Sequence, residues 1–113
     1  MTITFIRQDM LPADVISHDF VGEKFGGVEA CVIFVDAPPG EGPRLHRHPY
    51  VELLIVVAGT ATFRDGNGER EVGPGEMAVV DANQPHAFVN TGEGALRQID
   101  VHLSPRFVTE WLE

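Results

Sequence analysis

GEGPRLHRHPYVELLIVVAG, residues 40–59, is the stretch of sequence that decides the fold. Two histidines in it, His46 and His48, stand two positions apart. On a β-strand the side chains of residues i and i+2 point to the same face, so these imidazoles would lie side by side. Two neighbouring imidazoles can bind one metal ion at about 2.0–2.1 Å from each nitrogen. The pattern therefore predicts a metal site, without indicating which molecule binds or reacts there.

Glu52 and His86 can join this site only if the chain folds back. In a straight strand, His48 and Glu52 would lie roughly 13 Å apart, because each residue rises about 3.3 Å. Pro49 lacks an N–H and suits a turn. We therefore expect His46 and His48 to end one strand and Glu52 to begin its antiparallel neighbour, while His86 comes from a separate strand. Three neutral imidazoles and one carboxylate suit one divalent transition metal: Fe, Mn, Co, Ni, Cu or Zn.

The composition fits a single globular domain over residues 1–113 and excludes several kinds of partner. Twelve glycines and eight prolines, with frequent Val, Ile and Phe, favour short strands joined by tight turns. The formal net charge of −9 argues against a nucleic-acid or membrane partner, since both need a basic patch. We see neither a membrane-spanning stretch nor a signal peptide, so the expected location is cytoplasmic. Cys31, the only cysteine, lies in an apolar run and is expected to be buried.

Strand and turn signals recur along the chain, which is typical of a sandwich or barrel. The Asp-Gly and Asn-Gly pairs within residues 64–69 predict a hairpin turn. Only the tail looks helical, because Ser104 suits an N-cap, Pro105 suits the first helical position, and Phe107 and Trp111 are four apart. The predicted strands are residues 2–6, 28–36, 44–48, 51–58, 70–72, 76–80, 86–90 and 95–103.

The strand at residues 51–58 is apolar on both faces apart from Glu52. A strand with one face in water would alternate polar and apolar side chains, so this strand is expected to be covered on both sides. The second cover is another layer of strands or a partner subunit. A homodimer is therefore a hypothesis.

These motifs resemble the two conserved motifs of the cupins. In the first, at residues 40–59, Gly40, His46, His48, Glu52 and Gly59 stand at the family's spacing. The second, at residues 73–90, matches in part: Gly75 opens it, His86 is its histidine, and Asn90 follows. Asp81 stands where the family usually has proline. Asn83 replaces a usual glycine and tolerates the left-handed conformation that a glycine supplies.

The resemblance implies an all-β fold, a jelly-roll barrel of the double-stranded β-helix kind, followed here by the short C-terminal helix. It also implies that His46, His48, Glu52 and His86 bind a divalent metal inside that barrel. By strand parity Leu54 and Val56 would face the same side as Glu52, and Phe88 and Asn90 the same side as His86. Asn90 is expected to hold backbone in place.

Other polar residues are harder to place. Gln98, Asp100 and His102 alternate with apolar residues, and we expect solvent exposure; if they face inward, His102 or Gln98 could reach a molecule at the metal. Arg47 should point away from the site. Arg44 shares the parity of the two histidines and could meet an anionic substrate.

Two functions remain open from the sequence. The first is a metalloenzyme acting on a small organic molecule, dioxygenase-like or an isomerase, cyclase or decarboxylase. The second is a non-catalytic module that binds or senses a small molecule. Fold alone cannot separate them, because one barrel hosts many functions.

Overall fold

The computed structural model describes residues 2–113, which form ten strands and two single-turn 3₁₀ helices at Gln8–Met10 and Gly22–Lys24. The strands are β1 (Ser17–Val21), β2 (Cys31–Ala37), β3 (His46–Arg47), β4 (Glu52–Ala58), β5 (Ala61–Arg64), β6 (Glu69–Val72), β7 (Met77–Val80), β8 (Ala87–Asn90), β9 (Leu96–His102) and β10 (Glu110–Trp111).

The strands form two larger sheets and one short pair, and every pairing is antiparallel. One sheet has the order β1-β2-β9-β4-β7, the other β6-β5-β8, and β10 pairs with β3. The hydrophobic core draws on both sheets, since Leu54 and Leu96 of the first pack in one cluster with Ala61 and Phe88 of the second. The fold is thus all-β, as predicted, with its core between two sheets.

The register of the five-stranded sheet decides which side chains face this interior. On β9, His102 lies opposite both Cys31 and Glu52, and Asp100 lies opposite both Ile33 and Leu54. Because side chains alternate along a strand, Gln98, Asp100 and His102 share the inner face with Glu52. Gln98, Asp100 and His102 are at most 3% exposed. The expectation that they face solvent was wrong.

The C-terminal tail is not helical. After β9 the chain crosses the barrel mouth in irregular conformation, and Glu110–Trp111 pairs with Arg47 and His46 of β3. Pairing with β3 satisfies backbone groups that a helix would satisfy internally. The predicted strand at residues 2–6 was also wrong: this segment has no regular secondary structure and pairs with no strand among the described residues.

The chain does reverse between His48 and Glu52, but not into a hairpin. Glu52 begins β4, as expected, yet β4 pairs with β7 and β9 and not with β3. Residues 49–51 instead carry the chain from one sheet to the other. The expected antiparallel pairing of these two strands was therefore wrong, and the two parts of the first motif face each other across the barrel.

Two turn residues behave as the sequence indicates. Asn83 adopts a left-handed conformation with φ of 68°, so asparagine does supply the turn normally made by glycine. Gly59 has φ of 87°, and a Cβ there would lie 2.6 Å from the carbonyl oxygen of Ala95. Within residues 2–113, no helix has the length and apolarity needed to cross a membrane.

Candidate metal centre

Four side chains from different parts of the chain converge inside the barrel. His46 and His48 come from β3 and its end, Glu52 from the start of β4, and His86 from the residue before β8. One ligand atom from each lies within 4.8 Å of all the others, and every member of the set is buried. The structure therefore brings together the four side chains predicted from the sequence, and their geometry suits one shared ion.

Each of the three histidines is held by a backbone carbonyl oxygen that accepts a hydrogen bond from its Nδ1. A carbonyl only accepts, so Nδ1 carries the hydrogen and Nε2 presents its lone pair to the interior. This is the usual arrangement of a metal-binding histidine, whose second nitrogen is fixed by a hydrogen bond. The pairs are His46 with Arg44 (2.6 Å), His48 with Val108 (2.9 Å) and His86 with Gln84 (2.9 Å).

The Glu52 carboxylate faces these lone pairs, which makes the arrangement fit a cation. Its Oε1 lies 3.0 Å from Nε2 of His86 and 3.2 Å from Nε2 of His48. The His48 contact is close but poorly aligned, and Nε2 of His48 is buried without a hydrogen-bond partner. Lone pairs on both sides of such contacts repel unless a proton or metal ion lies between them. One divalent ion would satisfy all of them.

Electrostatic interactions keep the cluster in a protonation state that can bind a cation. Burial lowers the pKa of His46 from 6.5 to about 4, so this imidazole stays neutral in mild acid. Burial alone would raise the pKa of Glu52, but contacts with His102, His48 and His86 hold it well below its usual range. Burial likewise opposes protonation of His86, yet Glu52 raises the pKa of this histidine overall. An ionised carboxylate thus sits among three imidazoles.

A fourth histidine reaches the same carboxylate from the other side. His102 Nε2 lies 3.0 Å from Oε2 of Glu52, and its Nδ1 lies 2.6 Å from the Tyr50 hydroxyl. A hydroxyl, unlike a carbonyl, can donate, so His102 can carry its hydrogen on Nε2 and donate to Glu52. From the sequence, His102 was expected to face solvent and to reach a molecule at the metal only if it faced inward. Burial raises the pKa of Tyr50 to about 12, so it keeps its proton.

A cavity of about 260 Å³ opens beside the cluster. Its wall is mostly apolar, as small-molecule sites usually are. Trp111 and Phe107 of the tail stand near the metal cluster, with ring centroids 5.0 Å from His46 and 5.0 Å from His102, respectively. Of the four residues that parity placed on this side, Leu54 and Phe88 line the cavity, whereas Val56 is buried in the core and Asn90 binds backbone. The remaining lining residues are Asp14, Ile16, Ser17, Asp19, Ile33, Val35, Pro43, Asp100 and Thr109.

The other residues singled out from the sequence lie outside the cavity. Arg47 points away, as expected, and pairs with Glu110 at 2.7 Å. Arg44 is exposed above Trp111 and does not line the cavity, so the structure does not place it against a substrate. Asn90 is structural, since its amide donates to the carbonyls of Ala37 and Gly94. Gln98 is buried behind the wall and donates to Asp100 at 2.8 Å.

The chain resembles known proteins in both sequence and structure. The family model described as "Cupin domain" matches residues 33–102. No curated protein matches the sequence significantly.

Several solved structures share the fold at low sequence identity. The polyketide cyclase RemF from Streptomyces resistomycificus superposes with a TM-score of 0.81 at 17% identity, over 99% of this chain and 87% of that one. A conserved protein with a double-stranded β-helix domain from Klebsiella pneumoniae superposes with a TM-score of 0.78 at 19% identity, over 99% of both chains. Oxalate decarboxylase from Bacillus subtilis superposes with a TM-score of 0.73 at 21% identity. The superposition covers 85% of this chain but only 27% of the decarboxylase chain.

At such identities the structural likeness shows the fold alone: a double-stranded β-helix, as the sequence motifs implied. The family match covers well over half of the chain and includes all four converging side chains. The chain therefore belongs to the cupin family.

Proposed function

We propose that this protein is a metal-dependent enzyme that acts on a small organic molecule held in the barrel cavity. The observation that carries the proposal is the position of the ligand cluster: three fixed imidazoles and one carboxylate line a cavity large enough for a small molecule. A merely structural metal site would be closed by its ligands on all sides, whereas a catalytic one keeps an open position.

The chain's own residues have separable tasks in this proposal. His46, His48, Glu52 and His86 would hold the ion through three nitrogens and one oxygen. When bound, the ion would supply Lewis acidity and, if it is redox-active, oxidation chemistry. Tyr50 and His102 hold the Glu52 carboxylate in place. The aromatic rings of Phe107 and Trp111 restrict water at the mouth, which strengthens electrostatic interactions inside.

Support for an enzyme also comes from the relatives, because RemF is described as a polyketide cyclase and a second similar structure as an oxalate decarboxylase. Both are distant, so neither fixes the reaction here. Oxygen-dependent oxidation is the first reaction to test, because three imidazoles and a carboxylate suit iron, manganese, cobalt and nickel, which are redox metals.

The test begins with elemental analysis of protein purified without added metal, followed by loading with each candidate ion. Oxygen uptake and product formation are then measured against catechols, flavonols and diketones. We expect close to one ion per chain and turnover with at least one metal. His86→Gln should lose both, whereas His18→Gln, which changes a histidine outside the cluster, should lose neither.

Two outcomes would contradict the proposal in different ways. A chain that takes up no metal under any condition would remove the metal centre altogether. A chain that holds its ion firmly but turns over none of these compounds would instead be a binding or sensing module.

A further inference from the structure

The cavity wall beyond the metal cluster is acidic. Asp19 of β1 and Asp100 of β9 flank Ile33 of β2 in one row of the inner sheet face, because each lies opposite Ile33 in the register. Both aspartates line the cavity, and so do Asp14 and Ser17. Asp100 is 3% exposed and accepts a hydrogen bond from Gln98. This wall therefore offers carboxyl oxygens to whatever occupies the cavity.

No lysine or arginine is among the described residues that line the cavity. Two arginines near its mouth are engaged elsewhere: Arg47 pairs with Glu110 at 2.7 Å, and Arg106 pairs with Glu23 at 2.9 Å. Arg44 is exposed above the ring of Trp111. An anionic group that entered beyond the metal cluster would find no positive partner in the wall.

The dimensions of the cavity suit a single substituted ring. Its volume of about 260 Å³ exceeds the roughly 150 Å³ of a protein cavity known to bind benzene. Leu54 and Phe88 supply apolar surface beside the metal cluster. Asp19 stands three strands away from Glu52 in the sheet and two residues along from its row, which corresponds to about 14 Å across the strands and about 7 Å along them. A ring near the cluster could therefore extend a short substituent toward Asp19.

We propose that the cavity selects a small ring compound that turns a hydroxyl or ammonium group toward Asp19 and Asp100, and that it rejects a carboxylate at that end. The inference rests on the proposed function, because the other end of the ligand is placed at the metal. A hydroxyl or an ammonium donates hydrogen bonds to carboxyl oxygens. A carboxylate there would be desolvated without a cation to pair with it, which is strongly unfavourable.

Three catechols that share one ring and differ only at the end of a two-carbon substituent test this selection. Hydroxytyrosol ends in a hydroxyl, dopamine in an ammonium and homoprotocatechuate in a carboxylate. Their affinities for the zinc-loaded protein are measured by titration calorimetry, since zinc undergoes no redox turnover. Asp19→Asn removes the acidic partner. Asp36→Asn, on the exposed side of β2, makes the same change of net charge outside the cavity.

We expect homoprotocatechuate to bind at least tenfold more weakly than either of the other two, and Asp19→Asn to reduce this difference by threefold or more. Asp36→Asn should leave the difference unchanged. The ratio between dopamine and hydroxytyrosol shows whether the wall prefers a cation or a neutral donor.

Equal or tighter binding of the carboxylate would overturn the inference, as would the absence of binding by all three compounds or an equal effect of the two variants. Zinc content, measured on the same samples, tests the metal centre separately. A chain without zinc defeats the proposed function, whereas a zinc-loaded chain that favours the carboxylate defeats only the selection proposed here.

Discussion

Tyr50 connects the metal cluster to its surroundings through one hydroxyl. Its oxygen lies 2.6 Å from Nδ1 of His102, and His102 in turn contacts Glu52. Its ring also stacks on His48 at 5.2 Å between centroids. One residue thus supports two members of the cluster, one by hydrogen bonding and one by packing.

Tyr50→Phe separates these two roles because it removes the hydroxyl and keeps the ring. Without its hydroxyl partner, His102 no longer holds Glu52 in one orientation. Loss of such an outer hydrogen bond typically costs about 10–100-fold in metal affinity, so we expect zinc to bind at least tenfold more weakly in competition with a chromophoric chelator. The melting temperature of the metal-free protein serves as the control for folding. Unchanged zinc affinity would show that Tyr50 only packs.

Asp100 carries an electrostatic cost that a single substitution can relieve. Burial, and then the charge of Glu52, raises the pKa of Asp100 well above its usual value. The folded chain therefore retains a proton that the unfolded chain releases above about pH 4. Stability from this group is fully present below that pH and is lost as the pH rises toward the folded pKa.

Asp100→Asn should stabilise the metal-free protein at pH 7, because the amide keeps an oxygen for Gln98 and has no proton to lose. The expected gain is about 1–3 kcal/mol in the free energy of unfolding, the usual cost of a buried group with unfavourable polar surroundings. Urea denaturation at pH 7 and pH 4 measures it, and the gain should shrink at the lower pH. A variant that is less stable at pH 7 would contradict this assignment.

The position of a residue could be predicted from the sequence only where a local rule, such as the spacing within a motif, determines that position. Spacing in the first motif identified His46, His48 and Glu52, and the second motif identified His86. His102 could not be placed, since strand parity gives two faces without saying which is inside. Its apolar neighbours Ile99 and Val101 suggested the wrong face. Only the register with β2 and β4, which depends on distant parts of the chain, turns His102 inward.

At the scale of elements, the tail shows why a local helix pattern can fail. Ser104, Pro105 and the four-residue spacing of apolar side chains satisfy the rules for a helix start and face. However, an isolated helix of this length is marginal in water, and the backbone of β3 offers partners for β10. Contact with the barrel therefore outweighs helix propensity. The strands predicted from residue 28 onward form close to their expected positions, because alternation and turns are local signals.

The same tail contributes to the metal centre, which gives a prediction for the element as a whole. The carbonyl of Val108 fixes Nδ1 of His48, and Trp111 packs near His46. Deleting residues 107–113 removes both contacts and opens the cavity to water. We expect zinc affinity to fall by at least tenfold, the scale of an outer hydrogen bond to a ligand.

Arg47→Ala is the control for this deletion, because it removes only the ion pair between β3 and β10. Exposed pairs of this kind contribute about 0–1 kcal/mol, so its zinc affinity should match that of the unaltered chain. If the deletion also left zinc affinity unchanged, the tail would be a cover for the cavity and not a support for the ligands.

At the scale of the whole molecule, the two faces of the five-stranded sheet differ in an unusual way in the polarity of their side chains. Its inner face carries Glu52, Asp100 and His102, while its outer face carries apolar side chains from the same strands. Apolar exposed surface of this extent commonly marks an interaction site. The outer side chains are partly or largely exposed: Leu53, Ile55, Met77, Val79, Ile99 and Val101. The strand at residues 51–58 is thus covered on one side only within a single chain.

The N-terminal segment adds to this surface. Ile3 is 77% exposed and Phe5 is 89% exposed, in an irregular segment without a strand partner among the described residues. Further along, Ile6 and Leu11 lie near Phe20, Val32 and Phe34 on the outer side of the sheet. We propose that a second copy of the chain covers this face, since the chain's own acidic surface elsewhere repels self-association and leaves this apolar region as the contact.

Val79→Lys tests that proposal at the middle of β7's outer face, where Val79 is 63% exposed. A lysine there costs a monomer little, because it reaches water, but in a dimer it buries an unpaired charge. Sedimentation at micromolar concentration should show a dimer for the unaltered chain and a monomer for this variant, with zinc content unchanged. Val15→Lys, at a position 90% exposed in the loop before β1, should remain dimeric. Because the metal cluster lies on the opposite face of the same sheet, an unaltered chain that sediments as a monomer would remove the partner without affecting the metal centre.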